Sequence, residues 1–267
     1  MQKLVASSSM ELASLDTSLI NNSKKKNLSH FFDAYGDMWQ IIELEYIDPK
    51  VNLITEEMLL KAIGRAQIPH TVRLWCNRTN TVVIGRFQCA KLEVNLDACK
   101  KFGIPILTRL TGGGAVYHDQ GNLNWTLVLR RTSPLVPKEV PLIYEHFSKS
   151  VIHGIRALGL RAEYMPKGTY IHINQKKVAG MAAAIKYGGI LLHGTLLVST
   201  NLQILKEVLQ VSPRPLQGSS GKTGGKWVRS KKHVVTTLEK ELGRKITTSE
   251  VKVQLCNSFQ RYLQEQK

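Results

Sequence analysis

In LTRLTGGGAVYHDQGNLNWTLVL, residues 107–129, three successive glycines stand between two apolar, strand-like runs, and Tyr117, His118, Asp119 and Asn122 follow soon after. A glycine triplet gives up more backbone entropy on folding than other residues would, so this segment needs close approach to its main chain. Bare N–H groups in a tight loop can surround an anion, and absent Cβ atoms let a ligand lie along the backbone. Arg109 offers a forked anion grip just before the glycines, and His118, Asp119 and Asn122 offer polar groups just after. The GxxxxGK[ST] spacing of a P-loop is absent, and no helix start follows the glycines as a dinucleotide fingerprint requires. Taken alone, the triplet reads equally well as a hairpin with a Gly-rich bulge.

A second constellation is NQKKVAGMAAAIKYGGILLHGTLLV, residues 174–198. Lys177 precedes a run of very small side chains that includes Gly180 and Ala182, and His193, Gly194 and Thr195 follow. Residues 164–206 contain no Asp or Glu, yet hold Lys167, Lys176, Lys177, Lys186 and Lys206. Such a stretch suits a pocket for a negatively charged, partly apolar molecule. A tightly packed strand, or a plain basic surface, is the simpler account of the same residues.

These residues need a frame. Alternation predicts strands over 38–47, 72–76, 81–85, 104–110, 123–130, TYIHI (169–173) and 191–199. Helical spacing predicts helices over 52–66, 93–103, 140–159, 202–211 and 248–266, the last capped by Thr248 or Ser249. Ile143, Phe147, Val151, Ile155 and Leu158 line one face of the 140–159 helix, which Gly159 ends. The glycine segment is then a strand-to-strand connection. Helices and strands mix without a βαβ rhythm, which predicts an α+β fold with a mixed, largely antiparallel sheet flanked by helices. Residues 1–36, Ser/Asn-rich with SKKK at 23–26, read as a flexible N-terminal extension, and 37–267 as the catalytic domain. PRPLQGSSGKTGGKWVRSKKH, 213–233, reads as a mobile basic loop.

The 267 residues suffice for one sizeable core. Lys and Arg number 37 against 20 Asp and Glu, a formal charge of +17, which attracts polyanions or acidic partners without choosing among them. The four cysteines, Cys76, Cys89, Cys99 and Cys256, have no metal-ligand spacing and suggest reduced thiols. No 18-residue apolar run predicts a membrane span, and no h-region predicts secretion. Residues 1–30 lack Arg and hold Glu11 and Asp16, which argues against a mitochondrial presequence. The expected location is the cytoplasm.

RLTGGGAVYHDQGNLN (109–124) resembles the R-x-[ST]-G-G-G-A-V-[YF]-H-D-x-G-N-x-N signature of lipoate–protein ligases. KKVAGMAAAIKYGGILLHGTLL (176–197) is similar to their second motif, a Lys before small residues with H-G-T-L-L following. VVIGRFQ (82–88) and NLITEEMLL (52–60) resemble the upstream turn and first helix, and order and spacing agree over 38–260. The resemblance implies a fold shared with biotin ligases and class II aminoacyl-tRNA synthetase catalytic domains. It implies a reaction in which lipoate and ATP give lipoyl-AMP, and the lipoyl group then passes to a lysine of a lipoyl domain. Carried onto this chain, Lys177 is the catalytic charge between carboxylate and phosphate. Arg109, Gly114, Ala115, Val116 and Tyr117 are expected to bind nucleotide. Gly112, Gly113, His118, Asn122, Gly180, Ala182, His193, Gly194 and Thr195, with Lys177, are expected to bind the acyl substrate. ATP and Mg²⁺ are the implied cofactors. The implied partners are lipoyl domains of 2-oxoacid dehydrogenases and the glycine-cleavage H protein.

Two departures stand out. The family's R-N-D-like segment before the lysine strand is replaced by PKGTYIHI (166–173), which leaves the metal ligands unknown. The chain ends soon after 260, without room for the additional C-terminal domain of many ligases. Some relatives use a separately encoded small subunit. This chain is therefore expected either to need such a partner for adenylation or to transfer a preformed acyl group. An octanoyl- or lipoyltransferase is the nearest alternative. Its cysteine-dependent form needs a thiol near the motifs, where Cys89 is the sole candidate. Nucleic-acid binding would use 213–233 and SKKK, but no recognition motif accompanies them. Lys222, Lys226 and Arg229 could instead fold toward the phosphates.

Overall fold

The computed structural model describes residues 29–34, 36–209 and 227–265. An eight-stranded sheet dominates, in the order β1 (Ser29–Ala34), β2 (Asp37–Glu43), β3 (His70–Trp75), β7 (Asn122–Arg130), β11 (Gly189–Leu197), β10 (Lys176–Lys186), β9 (Tyr170–Ile173), β8 (Ala162–Met165). Every neighbouring pair is antiparallel except β2–β3. A three-stranded sheet holds β4 (Thr81–Ile84) between β5 (Ile106–Thr108) and β6 (Val116–His118). The α+β architecture with a largely antiparallel sheet is thus as expected. The glycine segment does connect two strands, but it crosses β4 rather than closing a hairpin. β1 pairs with β2 and buries Phe32 and Ala34 in the core, so the sheet begins ahead of residue 37. The rest of the expected extension, 1–28 and 35, lies outside the described residues, as does most of the basic loop.

The parity of β7 explains how one sheet serves both a core and a site. Leu123, Trp125, Leu127 and Leu129 point into the main core. They meet two helices, α4 (Val140–Ala157) and α7 (Thr248–Glu265), through Phe147, Val151, Leu255 and Phe259. Asn124, Thr126 and Val128 point the other way. There Val128 and Leu191 pack under Leu60 and Ile63 of α1 (Pro49–Gly64). A smaller core gathers Val82, Ile84, Val94, Cys99, Tyr117 and Val208 beneath the three-stranded sheet.

Several boundaries differ from the sequence reading. α1 starts at Pro49, not 52, because Asp48 accepts from Lys50 N and Pro49 fits the first turn. Glu56 therefore sits mid-helix on the buried face. The expected 93–103 helix is two, α2 (Ala90–Glu93) and α3 (Leu96–Lys101). Val94 between them bridges to Leu209, and Asn95 caps the second helix through Ala98 N. The same bridge ends α5 (Leu202–Val208) before the expected 211. The 104–110 strand shrinks to Ile106–Thr108, since Arg109 turns into the loop it supports. α7 takes its cap from Thr247, whose hydroxyl accepts from Glu250 N, rather than from Thr248 or Ser249. A short helix, α6 (Leu238–Leu242), precedes it, capped by Thr237.

Candidate active site

Register aligns one row of residues across four strands: Trp75 on β3, Asn124 on β7, Thr195 on β11 and Gly180 on β10. A cavity of about 300 Å³ lies against this row. The small sheet contributes Val83, Val116 and His118 to its lining, and α1 contributes Leu53 and Glu56.

Lys177 reaches the row through a fault in β10. The pairing with β9 slips between Lys177, opposite His172, and Ala179, opposite Ile171. Lys177 and Gly180 are three residues apart and would face opposite sides of a regular strand. The bulge puts both on the cavity face, while Val178 and Ala179 both enter the main core. A Cβ at Gly180 would lie 3.1 Å from Lys177 Cε and Nζ, so the lysine lies across the bare glycine. Burial, and then the Arg109 charge, lower its pKa to about 8.

The glycine loop is held from beneath by Arg109. Its guanidinium donates to the carbonyls of Gly112 (2.5 Å), Gly114 (2.8 Å) and Val83 (3.3 Å), and to Thr111 Oγ1 (3.0 Å). Gly113 needs its φ of +87°, a left-handed conformation that other residues resist. Arg109 is buried, which lowers its pKa to about 10, and it lends the cavity charge while its hydrogen bonds serve the loop.

Two polar chains run beneath the cavity. One converges on Glu56: Trp75 Nε1 donates to Thr126 Oγ1, and Thr126 donates to Glu56. From the other side Arg109 Nε donates to Thr111 Oγ1, which shares a hydrogen bond with His193 Nε2 at 2.8 Å. His193 Nδ1 lies 3.0 and 2.9 Å from the two Glu56 oxygens, and because a carboxylate only accepts, that nitrogen carries a proton. Burial raises the Glu56 pKa, but the His193 charge and hydrogen bond, helped by Thr126 and Arg73, lower it overall.

The second chain starts at Arg73, which can only donate, and gives to Asn52 Oδ1 at 2.6 Å. Asn52 Nδ2 gives to Asn77 Oδ1, and Asn77 Nδ2 gives to His118 Nδ1. His118 Nε2–H therefore donates to Thr195 Oγ1, and Thr195 to Asn124 Oδ1 at 2.7 Å. Burial, then the Arg109 charge, lower the His118 pKa to about 3, so the ring is neutral at physiological pH.

A strap formed by residues 228–236 crosses from the glycine loop to Lys177. Val228 N donates to Phe87 O. Ser230 Oγ accepts from Ala115 N and Gln88 Nε2. The buried Glu93 receives Arg229 Nε at 2.6 Å and Ser230 N at 2.9 Å. Farther on, Lys177 N donates to Val234 O, and Thr236 N to Lys177 O. Lys167, Lys231 and His233 also line the cavity, so its charge is predominantly positive.

The cavity thus gathers Arg109, Gly113, Gly114, Ala115, Val116 and His118 from the first motif. It gathers Lys177, Gly180, Ala182, His193, Gly194 and Thr195 from the second. Gly112, Tyr117 and Asn122 are not part of its lining. Gly112 faces Phe87, the Tyr117 ring belongs to the small core, and Asn122 Oδ1 closes a turn through Asp119 N. The Ala115 N–H, expected to meet phosphate, is held by Ser230. Lys167, Gly168 and Thr169 do line the cavity. Lys222 and Lys226 lie outside the described residues, while Arg229 is in the lining and bound to Glu93. Sequence reasoning passed over Glu56, Trp75, Asn124, Ser230 and Glu93. All four cysteines are described, and none lines the cavity; Cys89 precedes α2. Glu56, the one carboxylate in the lining, is engaged by His193 and Thr126, and no group of three metal-binding side chains occurs among the described residues. The protein groups therefore do not fit a metal held by side chains alone. Among the described residues no helix is long and apolar enough to cross a membrane.

Fold and site together define an α+β enzyme domain with a cationic cavity between two sheets. The model of the lipoyl protein ligase A/B catalytic domain matches residues 48–260, and the chain belongs to that family. The octanoyltransferase LipM of Brevibacillus brevis is 30% identical over 195 residues, 65% of this chain and 70% of that one. Relatives named "Probable lipoate-protein ligase A" from Mycoplasma pneumoniae and Mycoplasma genitalium are each 32% identical, but the chain spans only about half their length, 46% and 49%. Among solved structures, a lipoate-protein ligase A bound with ATP is 28% identical with a TM-score of 0.65, covering 84% of each chain. A bi-partite lipoate protein ligase, described with its E2 lipoyl domain, from Thermoplasma acidophilum is 28% identical with a TM-score of 0.65, covering 84% of this chain and 82% of that one.

Proposed function

We propose that this chain is a lipoate–protein ligase, forming lipoyl-AMP from lipoate and ATP and passing the lipoyl group to a lipoyl-domain lysine. A lipoate carboxylate oxygen attacks the α-phosphorus as the bond to pyrophosphate breaks. The acceptor amine then attacks the acyl carbonyl, AMP leaves, and a proton is released. Neither step needs an enzyme nucleophile; both need two anions held together and their charge compensated. Lys177 is suited to stand between them, with the Arg109 charge beneath and the neutral His118 below the acyl chain. The observation that carries this reading is the placement of Lys177 in a cationic cavity that none of the chain's cysteines lines. Mg²⁺ would arrive on the nucleotide's own phosphates.

The second reading is an octanoyl- or lipoyltransferase, favoured by the LipM relatives. In that case the acyl group comes from a carrier protein or a preformed adenylate. The likeness to a bi-partite ligase supports a further expectation, that a separate small subunit assists adenylation. Lipoyl domains of 2-oxoacid dehydrogenases and the H protein are the proposed acceptors, and nucleic acid is not. The catalytic domain, expected over 37–267, is proposed to take in β1 from Ser29 as well and to work in the cytoplasm.

Intact-mass analysis of an apo lipoyl domain separates the readings. A lipoyl adduct formed from lipoate and Mg-ATP, and abolished by Lys177→Ala, establishes a self-sufficient ligase. An adduct from lipoyl-AMP alone places adenylation with a partner. An octanoyl adduct from an acyl carrier protein, lost in Cys89→Ser, would overturn the ligase.

A further inference from the structure

The polar chain that begins at Arg73 is directional as far as Thr195, and its last member has one atom left over. Arg73 cannot accept, which fixes the Asn52 amide; Tyr46 N on Asn52 Oδ1 and Asn52 Nδ2 on Tyr46 O fix it independently. Each donation then forces the next, through Asn77 and His118 as far as Thr195 Oγ1, and the Thr195 hydroxyl in turn donates to Asn124 Oδ1. Asn124 Nδ2 has no partner, although the residue is only 2% exposed. Among the described residues, it is the only cavity-lining side chain that carries a buried polar atom without a partner.

Its position says what it would meet. Asn124 is two strands from Gly180 in the same row, about 10 Å at the usual spacing. Lys177, which on the reading above meets the carboxylate, lies over Gly180. An extended acyl chain starting at Lys177 and following the row ends beside Asn124, between Trp75 and Thr195. A buried donor facing a hydrocarbon terminus stays unpaired and opposes binding, whereas an acceptor there satisfies it. Thioether-like sulfur is a weak acceptor, and carbon is none.

Resting on the ligase reading, we propose that Asn124 selects the acyl substrate by its far end. Its Nδ2–H donates to sulfur and so favours a dithiolane tail over an all-carbon tail of the same outline.

The test is calorimetric titration of the full chain with lipoate, with 5-cyclopentylpentanoate, the carbocycle of matching shape, and with octanoate. The wild type should bind lipoate about three- to tenfold more tightly than the carbocycle. In Asn124→Leu, a near-isosteric change, that gap should close as the carbocycle and octanoate gain affinity. Equal affinities of lipoate and carbocycle for the wild type overturn the inference while leaving the ligase reading intact, and this comparison needs no variant to fold. A gap that persists in Asn124→Leu overturns it equally. If the wild type binds none of the three, the acyl-site reading fails, and the inference with it.

Discussion

The side chain of Lys177 lies across Gly180, with Cε and Nζ both 3.1 Å from where a Cβ on that glycine would be. The contact is with the mobile end of a lysine, so a methyl there can be accommodated, but only by moving the ammonium. Gly180→Ala is expected to lower the ligation rate about tenfold or more, since small misplacements of a reacting charge are expensive, while thermal stability stays nearly constant. Paired activity and melting measurements check this; an unchanged rate would remove Gly180 from the lysine's positioning.

Lys177 also opposes folding. Its folded pKa of about 8 lies below the ordinary 10.5 of an exposed lysine, so the unfolded chain binds the proton more tightly. The penalty is complete below pH 8 and is relieved as pH rises from there toward 10.5. Lys177→Met should therefore stabilise the fold at pH 7, by about 2 kcal/mol after allowing for partial solvation, and the gain should shrink above pH 8. Urea denaturation of both proteins at pH 7 and pH 10 tests the sign. The same variant should not adenylate lipoate.

The carboxylate of Glu56 behaves oppositely. Its net depressed pKa makes its contribution full above the ordinary glutamate value of 4.5 and lost progressively below it. Glu56→Gln should destabilise by about 3 kcal/mol at pH 7, because the chains from Thr126 and Thr111 both deliver donors to that point and an amide cannot accept from all of them. The deficit should narrow as pH falls below 4.5. A constant deficit from pH 7 to pH 3.5 would contradict the assignment of Glu56 as the acceptor of both chains.

Glu93 sits away from the cavity but holds the strap that borders it. Glu93→Gln weakens the tie to Arg229 and Ser230 N, and should raise the KM for ATP several-fold. Trypsin should then cleave after Arg229, Lys231 or Lys232 faster than in the wild type. Unchanged cleavage together with an unchanged KM would show that the strap is held without Glu93, by Val228 on Phe87, the Ser230 hydroxyl and the Lys177 backbone.

Much of this organisation could be read from the sequence wherever the information is local. The glycine loop and the 140–159 helix each carry their signal within a score of residues, and the helix falls within two positions of its expected bounds, whereas the strand that carries Lys177, Lys176–Lys186, was not among the expected strands, its Ala and Gly lacking strand propensity. The polar floor of the site was not legible. Asn52 on α1, Arg73 on β3, Asn77 in the loop after it and Asn124 on β7 are brought together only by the pairing of β3 with β7 and the packing of α1. Arg73 did leave a trace, as the one charged residue within the otherwise apolar VRLWC, and a fully buried strand tolerates that only when its donors are met. Glu93 and Ser230 left none, since a contact between residues 137 apart has no periodicity to betray it.

The bulge in β10 can also be considered as a matter of counting. Pair β10 with β9 regularly through residues 177–180, without the bulge, and the sequence, its small side chains and its +17 charge would all be unchanged. The lysine would simply be turned toward the helices, among Phe147 and Leu255, where an ammonium has no anion to meet. Foldedness and competence in this chain are therefore separated by a single odd number. A homologue that keeps every motif letter but pairs without the bulge would be expected to fold well and do nothing.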